Sequence, residues 1–246
     1  MKNEDNVLNY LKEKQKSSVS ELCKSLNLSQ STVRRKLTEL ENKGLIKRTH
    51  GGAQIIDANN TFFNFSLRIH QNIFEKKVIA LKAIKLIKEG DVIFLDGSTS
   101  TYFLAEYLNE FKNITVITNG IDTLSFLAKK GVSAISTGGI VSKENTSVLV
   151  GSSAIEFVKT VNANLCFFSC QSLNCDGEIS DCYLEENYVR KEMIKRARKS
   201  VLLCDSTKTE RESPYYLCNA QEIDYVITDK DLNGYLKNAD KYNIIF

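Results

Sequence analysis

Apolar positions in the first fifty residues recur at helical spacing in three short runs. "VLNYL", from Val7 to Leu11, begins an amphipathic helix. Leu22 and Leu26, four residues apart, give a second helix its apolar stripe, and Ser18 with Glu21 predicts a capping box at its start. Val33, Leu37 and Leu40 form the buried face of a third helix, which Ser29 caps and Gly44 closes. Asn27 suits the turn between the last two. "LIKRTHGGAQII" then reads as two short strands joined at His50-Gly51-Gly52. Three short helices and a hairpin make a winged helix-turn-helix, placed at residues 1–57.

Residues 58–73 are polar and aromatic without clear periodicity, and are assigned as a linker. Ile79, Ala83 and Leu86 then repeat at helical spacing. After Gly90 the texture changes to near-continuous apolar strands, "DVIFLD", "ITVIT", "VSAIST", "ANLCFFSC", "SVLLCD" and "DYVIT". Between them lie the amphipathic segments "TYFLAEYLNEF", "IDTLSFLAKK", a helix starting near Gly151, and "EENYVRKEMIKRARK". Such alternation predicts a mostly parallel α/β sheet covered on both faces, spanning residues 74–246.

Composition narrows the class. A chain of 246 residues with 42% hydrophobic and 26% charged content suits one large and one small globular domain. No apolar run approaches the roughly 20 residues of a membrane-spanning helix, and "MKNEDNVLNYLKEKQ" has no apolar signal core. The chain is therefore expected to be cytoplasmic and without a membrane partner. Charge is uneven: residues 1–56 hold eleven Lys/Arg against six Asp/Glu, while the rest holds 22 against 24. A basic head on a near-neutral body points to a polyanion met by the head alone. The seven cysteines are odd in number, form no CxxC pair and lie partly within apolar strands. They are expected to be reduced core thiols, with no metal site and no cofactor.

In a helix-turn-helix the second helix of the motif enters the major groove. Here Val33 and Leu37 point inward, which leaves Ser29, Gln30, Ser31, Thr32, Arg34, Arg35 and Lys36 for DNA. Gln suits adenine, Arg suits guanine or phosphate, and hydroxyls near a helix start suit phosphate. On the wing, Lys47, Arg48 and His50 are placed to reach the backbone or the minor groove. A solvated basic face or a protein-interaction module is the competing reading, but cap, turn, stripe, cations and Gly-Gly wing occur here in order.

This segment closely resembles the N-terminal signature of the DeoR-type family of bacterial transcriptional regulators, S-x-x-T-[IV]-R-R-D-L with the wing R-x-H-G-G-A. Ser29, Thr32, Val33, Arg34, Arg35 and Leu37 match the helix, and Arg48, His50, Gly51, Gly52 and Ala53 match the wing. Lys36 stands where the family usually has Asp, so the family's base preferences do not transfer.

In the body, "LDGSTST", "TNG", "TGG" and "CDSTK" all follow predicted strands, and ligands of open α/β sheets bind at the carboxyl ends of strands. Ser/Thr/Gly loops offer hydroxyls and backbone N–H groups to an anion, Asn119 suits a sugar hydroxyl, and Lys208 adds a cation. The competing reading is turn and cap chemistry alone. "FSLRIHQNIFEKKVIA", "ITVITNG", "STGGIV", "VGSSA", "EENYVRKEMI" and "LLCDSTK" resemble the family's linker and effector domain in order. That domain is similar to ribose-5-phosphate isomerases and implies a phosphorylated sugar as ligand. The resemblance carries over Asp96, Ser98, Thr99, Ser100, Thr118, Asn119, Gly138, Gly139, Glu186 and Lys208. Gly97 and Ser98 stand in swapped order, and Cys170 and Gln171 occupy positions usually held by small residues.

The expected function is a sequence-specific transcriptional regulator, a repressor of a carbohydrate operon that answers to a phosphorylated sugar. A homodimer or homotetramer is expected because one head reads only a half-site. The alternative is a sugar-phosphate isomerase with an attached head, using Glu186 and Lys208 as base and electrophile. No complete catalytic set supports it, and no catalytic residue is assigned.

Overall fold

A computed structural model describes residues 2–42, 46–55, 65–209 and 212–246 of the chain. Gly44, expected to close the third helix, and residues 58–64 of the expected linker lie outside the described residues. Two compact units emerge, Met1–Gln71 and Asn72–Phe246.

The smaller unit runs α1 (Lys2–Lys14), β1 (Lys16–Ser18), α2 (Val19–Leu26), α3 (Gln30–Asn42), β2 (Ile46–Thr49), β3 (Gly52–Ile55) and α4 (Phe65–Arg68). Val7, Leu11, Val19, Leu22, Val33, Leu37, Leu40, Ile46 and Ala53 share one core, so the three apolar stripes meet as their spacing requires. The capping box forms: Glu21 N donates to Ser18 Oγ at 3.1 Å, and Ser18 N donates to the Glu21 carboxylate at 2.8 Å. The backbone hydrogen bond from Ser18 and hydroxyl bonds from Ser17 and Ser18 hold the Glu21 pKa below its ordinary value. Asn27 adopts the left-handed conformation, φ 52°, at the end of α2.

Two features go beyond the periodicity. Helix α1 starts at Lys2, five residues before the expected start, and β1 makes the wing a three-stranded antiparallel sheet of order β1-β3-β2. A three-residue strand carries too little alternation to be read from sequence. It explains the second wing glycine, because Gly52 pairs with Ser18 and a Cβ there would lie 2.2 Å from the Ser17 carbonyl oxygen.

The larger unit begins with α5 (Ile73–Ala83), β4 (Val92–Leu95), α6 (Thr99–Ala105), β5 (Thr115–Thr118), α7 (Ile121–Lys129) and β6 (Ser133–Ser136). It continues with β7 (Ile140–Val141), β8 (Leu149–Val150), α8 (Ser152–Lys159), β9 (Ala163–Phe168), β10 (Ser172–Leu173) and β11 (Glu178–Asp181). Then follow α9 (Leu184–Arg196), β12 (Ala197–Leu203), β13 (Tyr215–Asn219), β14 (Tyr225–Ile227) and β15 (Ile244–Ile245). Seven strands form one sheet of order β15-β14-β12-β9-β4-β5-β6, with every neighbouring pair parallel. The central strands are buried on both faces. Phe94, Cys166, Phe168 and Leu202 belong to a core cluster that also contains Val158, Val189 and Met193 of α8 and α9, while Ile93, Leu95, Phe167, Val201 and Leu203 alternate with the strand members and are equally buried. Strand order reverses between β4 and β9, which opens a crevice at their carboxyl ends.

The long helix expected at "EENYVRKEMIKRARK" ends at Arg196. The following "ARK" has good helix formers, but Ala197 and Lys199 pair with Ala163 and Leu165 of β9, and sheet pairing overrides local propensity. A small antiparallel sheet, β10-β11-β13, and the β7–β8 ribbon are further additions, built from segments of two to five residues. All seven cysteines are free thiols, five of them buried. Among the described residues no helix is long and apolar enough to cross a membrane, and no group of His, Cys, Asp and Glu is arranged to hold a metal ion.

Gly52→Ala should push β1 away from β3 and destabilise the small unit by about 1–3 kcal/mol. Amide hydrogen exchange in the full chain reads this as lost protection at β1 and β3, with the β4–β9 amides unchanged.

Candidate functional site

At the β4–β9 crevice the first side chain after β4 is Asp96, 2% exposed. One carboxylate oxygen accepts from Ser98 N at 3.1 Å and from Thr101 Oγ1 at 3.1 Å. The other accepts from Ser169 N at 3.1 Å, just past β9, and from Arg190 Nε at 2.9 Å. Asp96 therefore fixes two loops and a helix at once. Ser98 Oγ accepts from Thr101 N at 3.3 Å, which caps α6 and fixes the run Ser98-Thr99-Ser100, all of it buried.

Arg190 lies on α9 and is 4% exposed. Beyond Asp96 it meets Asp181 at 3.1 Å, Asn187 Oδ1 at 2.7 Å and Glu186 at 3.6 Å. Burial alone would lower its pKa, but Asp181, Asp96 and Glu186 outweigh burial and hold the guanidinium above its ordinary value. Glu186 in turn accepts from Asn145 Nδ2 at 2.8 Å.

A second cluster follows β12. Lys208 Nζ donates to Ser169 Oγ at 2.7 Å and stands 3.9 Å from Asp205. Ser169 Oγ donates to the Leu203 carbonyl at 2.6 Å, and Ser100 Oγ lies 3.3 Å from it. Asp205 is 1% exposed; one oxygen accepts from Thr207 and from Asn72 Nδ2 at 3.2 Å. Burial opposes its charge, yet Lys208, the Thr207 bonds and Lys76 hold its pKa below the ordinary value. Lys76 is itself buried on α5, its ammonium 6.0 Å from the centre of the Phe103 ring.

On the next strand, Gly120 N donates to Thr118 Oγ1 at 2.9 Å, and Asn119 Nδ2 donates to the Leu149 carbonyl at 3.1 Å. Asn119 Oδ1 and Asp205 Oδ2 are buried without a hydrogen-bond partner. Such atoms cost free energy unless a ligand or water satisfies them. Gly138 and Gly139 follow β6, two strands from β4, with φ of 66° and 103°.

Asp96, Ser98, Ser100, Glu186 and Lys208 of the expected set are thus joined through one polar network. Thr99 lies within the same loop run, Thr118 and Asn119 line the neighbouring strand end, and Gly138 and Gly139 lie farther out. Ser169, Asp181 and Arg190 are additions to the expected set, and Lys76, expected only as part of the linker match, packs beside them. Arg190 lies within the quoted "EENYVRKEMI", where an Arg four residues after a Glu was the available signal. Cys170 and Cys204 adjoin Ser169 and Asp205. A hydrogen bond with Cys170 and then burial raise the Cys204 pKa, and burial pushes Cys218 up to about 12, so these thiols stay neutral.

In the small unit, Thr32 N donates to Ser29 Oγ at 3.2 Å, and Ser29 Oγ lies 3.0 Å from Ser31 Oγ and 2.8 Å from Thr32 Oγ1. Ser29, Gln30, Ser31, Arg34 and Arg35 are exposed at the start of α3, with Thr32 half-buried. His50 is exposed at the wing turn, and Arg48 is half-buried on β2, its N–H donating to Glu41 at 3.2 Å. Lys47 lies on β2, and its side chain falls outside the described residues. Lys36 differs from its neighbours: only 14% of its side chain is exposed, and its ammonium bonds Glu39 at 2.5 Å. Its extra charge is answered within α3.

Comparison with known proteins agrees with this architecture. Residues 4–59 match the DeoR-like helix-turn-helix domain, and residues 71–230 match the DeoR C terminal sensor domain. The HTH-type transcriptional regulator GolR of Listeria innocua is 35% identical over 94% of this chain and 91% of its own length. The L-fucose operon activator of Haemophilus influenzae is 32% identical over 96% and 93%, and the lactose phosphotransferase system repressor of Staphylococcus epidermidis 30% over 92% and 91%. Among solved structures, eIF2B delta from Chaetomium thermophilum is similar in fold, with a TM-score of 0.50, 16% identity and coverage of 66% and 58%. Ribose 5 phosphate isomerase A from Neisseria gonorrhoeae gives a TM-score of 0.41 at 14% identity, covering 55% and 52%. The chain belongs to the DeoR family of DNA-binding transcriptional regulators; the relatives matched across its length are named regulators, and it is not an enzyme.

Removing the Arg190 charge with Arg190→Met leaves Asp96, Asp181 and Glu186 buried against one another, and should cost about 3–5 kcal/mol in urea unfolding. Asp205 gives a pH signature. Its folded pKa is lowered, so its contribution is present above the ordinary aspartate pKa of about 4 and is lost as pH falls below that, through the lowered folded value. Asp205→Asn should flatten the acid limb of stability against pH relative to the wild type.

Proposed function

We propose that this chain is a repressor of a carbohydrate operon whose larger unit binds a phosphorylated sugar at the β4–β9 crevice and whose smaller unit reads the operator. The observation that carries the effector reading is the pairing of an anion site with an orphaned acceptor. Lys208 and the hydroxyls of Ser98, Thr99, Ser100 and Ser169 suit a phosphate, while Asn119 Oδ1, buried without a hydrogen-bond partner, requires a donor such as a sugar hydroxyl. Inorganic phosphate satisfies only the first half. The sugar system named in the lactose repressor and the fucose activator supports the same ligand class.

For the head, Gln30, Ser31, Thr32, Arg34 and Arg35 offer base-edge and phosphate contacts from one exposed face, with Ser29 acting chiefly as the α3 cap. Arg48 and His50 take the wing role. Lys36, paired with Glu39, contributes less charge to DNA than its number in the sequence suggests.

Two experiments test this. In thermal shift, a phosphorylated pentose or hexose at roughly a hundred times its Kd should raise Tm by about 5 °C or more, and inorganic phosphate by much less. Lys208→Met should lose the shift; a panel in which no phosphorylated sugar raises Tm overturns the effector reading. On random-sequence duplex DNA, Arg34→Ala/Arg35→Ala should reduce the slope of log affinity against log salt by about 2. An unchanged slope removes both arginines from the interface.

A further inference from the structure

Asn72 is the first residue of the larger unit and stands at the N-cap position of α5, yet its side chain does not cap the helix. Its carbonyl accepts the first intrahelical bond, from Lys76 N at 3.0 Å. A capping Asn normally turns its side-chain oxygen onto the first N–H groups from an extended backbone. Here the backbone is left-handed, φ 50° and ψ 42°, and the amide is used elsewhere. Asn72 Nδ2 donates to Asp205 Oδ1 at 3.2 Å and to Thr207 Oγ1 at 2.9 Å. Thr207 Oγ1 and Thr207 N donate to the same carboxylate oxygen. An ionised carboxylate only accepts, so the bonds among Asn72, Asp205 and Thr207 run in one sense and use both amide hydrogens. A helix start that gives up its own cap to hold a distant loop breaks a local rule, and such breaks gather at functional positions.

The loop held in this way carries Lys208. Thr207 directly precedes Lys208 within the short turn Ser206–Lys208, and Asp205 Oδ2 lies 3.9 Å from the Lys208 ammonium. Lys76, one turn along α5, also stabilises the Asp205 charge. The carboxylate is therefore divided. Oδ1 serves the residue at which the larger unit begins, and Oδ2 faces the cation of the crevice.

We propose that Asn72 is a positioning residue that reports the state of Lys208 to the junction leading to the DNA-reading unit. A phosphate that draws the Lys208 ammonium to itself leaves Asp205 with less countercharge on that side. Asp205 then leans on Asn72, Thr207 and Lys76, and the first turn of α5 is held more tightly. The ligand in this sequence rests on the effector reading above; the latch from Lys208 through Asp205 to Asn72 does not.

Asn72→Gly removes the amide, while glycine keeps the left-handed backbone at no steric cost. Amide hydrogen exchange in the full chain then reads the latch. With Asn72 present, Lys208→Met should slow exchange at the Lys76 amide by roughly threefold or more, and so should the phosphorylated pentose or hexose that gives the largest thermal shift. With Asn72→Gly neither should. On a duplex that the wild type enriches from a random library, the same ligand should change affinity by about tenfold, and Asn72→Gly should bring that factor to about twofold or less. Ligand-free affinity and the thermal shift should stay as they are, which a merely structural role for Asn72 does not require. Should Asn72→Gly fail to fold, Thr207→Val, which removes the hydroxyl between Asn72 and the Lys208 turn, should lower the factor in the same direction.

A Lys76 amide that responds neither to Lys208→Met nor to the ligand overturns the proposal, as does an Asn72→Gly chain whose ligand factor matches the wild type. So does loss of the thermal shift in Asn72→Gly, which would put Asn72 in the ligand site. Slowed exchange in Lys208→Met that Asn72→Gly abolishes, with no sugar phosphate shifting either protein, upholds the latch and overturns the effector reading alone.

Discussion

A guanidinium taken out of water costs several kcal/mol, and Arg190 is held in that state by carboxylates from three separate elements. Asp96 comes from the end of β4, Asp181 from β11 and Glu186 from the first turn of α9. One cation thereby joins the main sheet, the small antiparallel sheet and the helix that packs on both. The consequence reaches further through Asp96. With one oxygen on Arg190 and Ser169 N, its other oxygen is free to fix Ser98 N and Thr101 Oγ1, and so the loop that opens α6. The hydroxyls of Ser98, Thr99 and Ser100 are preorganised by a charge they never touch. Buried ion networks of this kind are weak contributors to net stability but strong ones to geometry, because any rearrangement strands a charge.

The doubly wound sheet supplies the other constraint. Strand order reverses between β4 and β9, so their following loops diverge and leave room at the carboxyl ends. Lys208 reaches into that room from the end of β12, and its bond to Ser169 ties the third loop to the second. Buried thiols at Cys170 and Cys204 continue the core right up to these polar groups. Small, weakly polar side chains let the network sit close above the sheet.

The parts of this architecture legible in the sequence are those with a long period or a strong cap. The three apolar stripes of the head, the Ser18–Glu21 box, Asn27 and the apolar runs of the main sheet all sit where spacing put them. The wing's third strand, the β7–β8 ribbon and the β10-β11-β13 sheet escaped because segments of two to five residues carry no readable alternation. The end of α9 was misplaced because "ARK" favours helix locally and only β9, more than thirty residues away, turns it into strand. At the site, loop residues after strands were visible as Ser/Thr/Gly clusters. Arg190, Asp181 and Ser169 were not, since their roles arise from contacts that span from nine to 94 residues in sequence. Lys36 illustrates the same limit at short range: its charge was plain, but its partner Glu39 appears only once the helix is built.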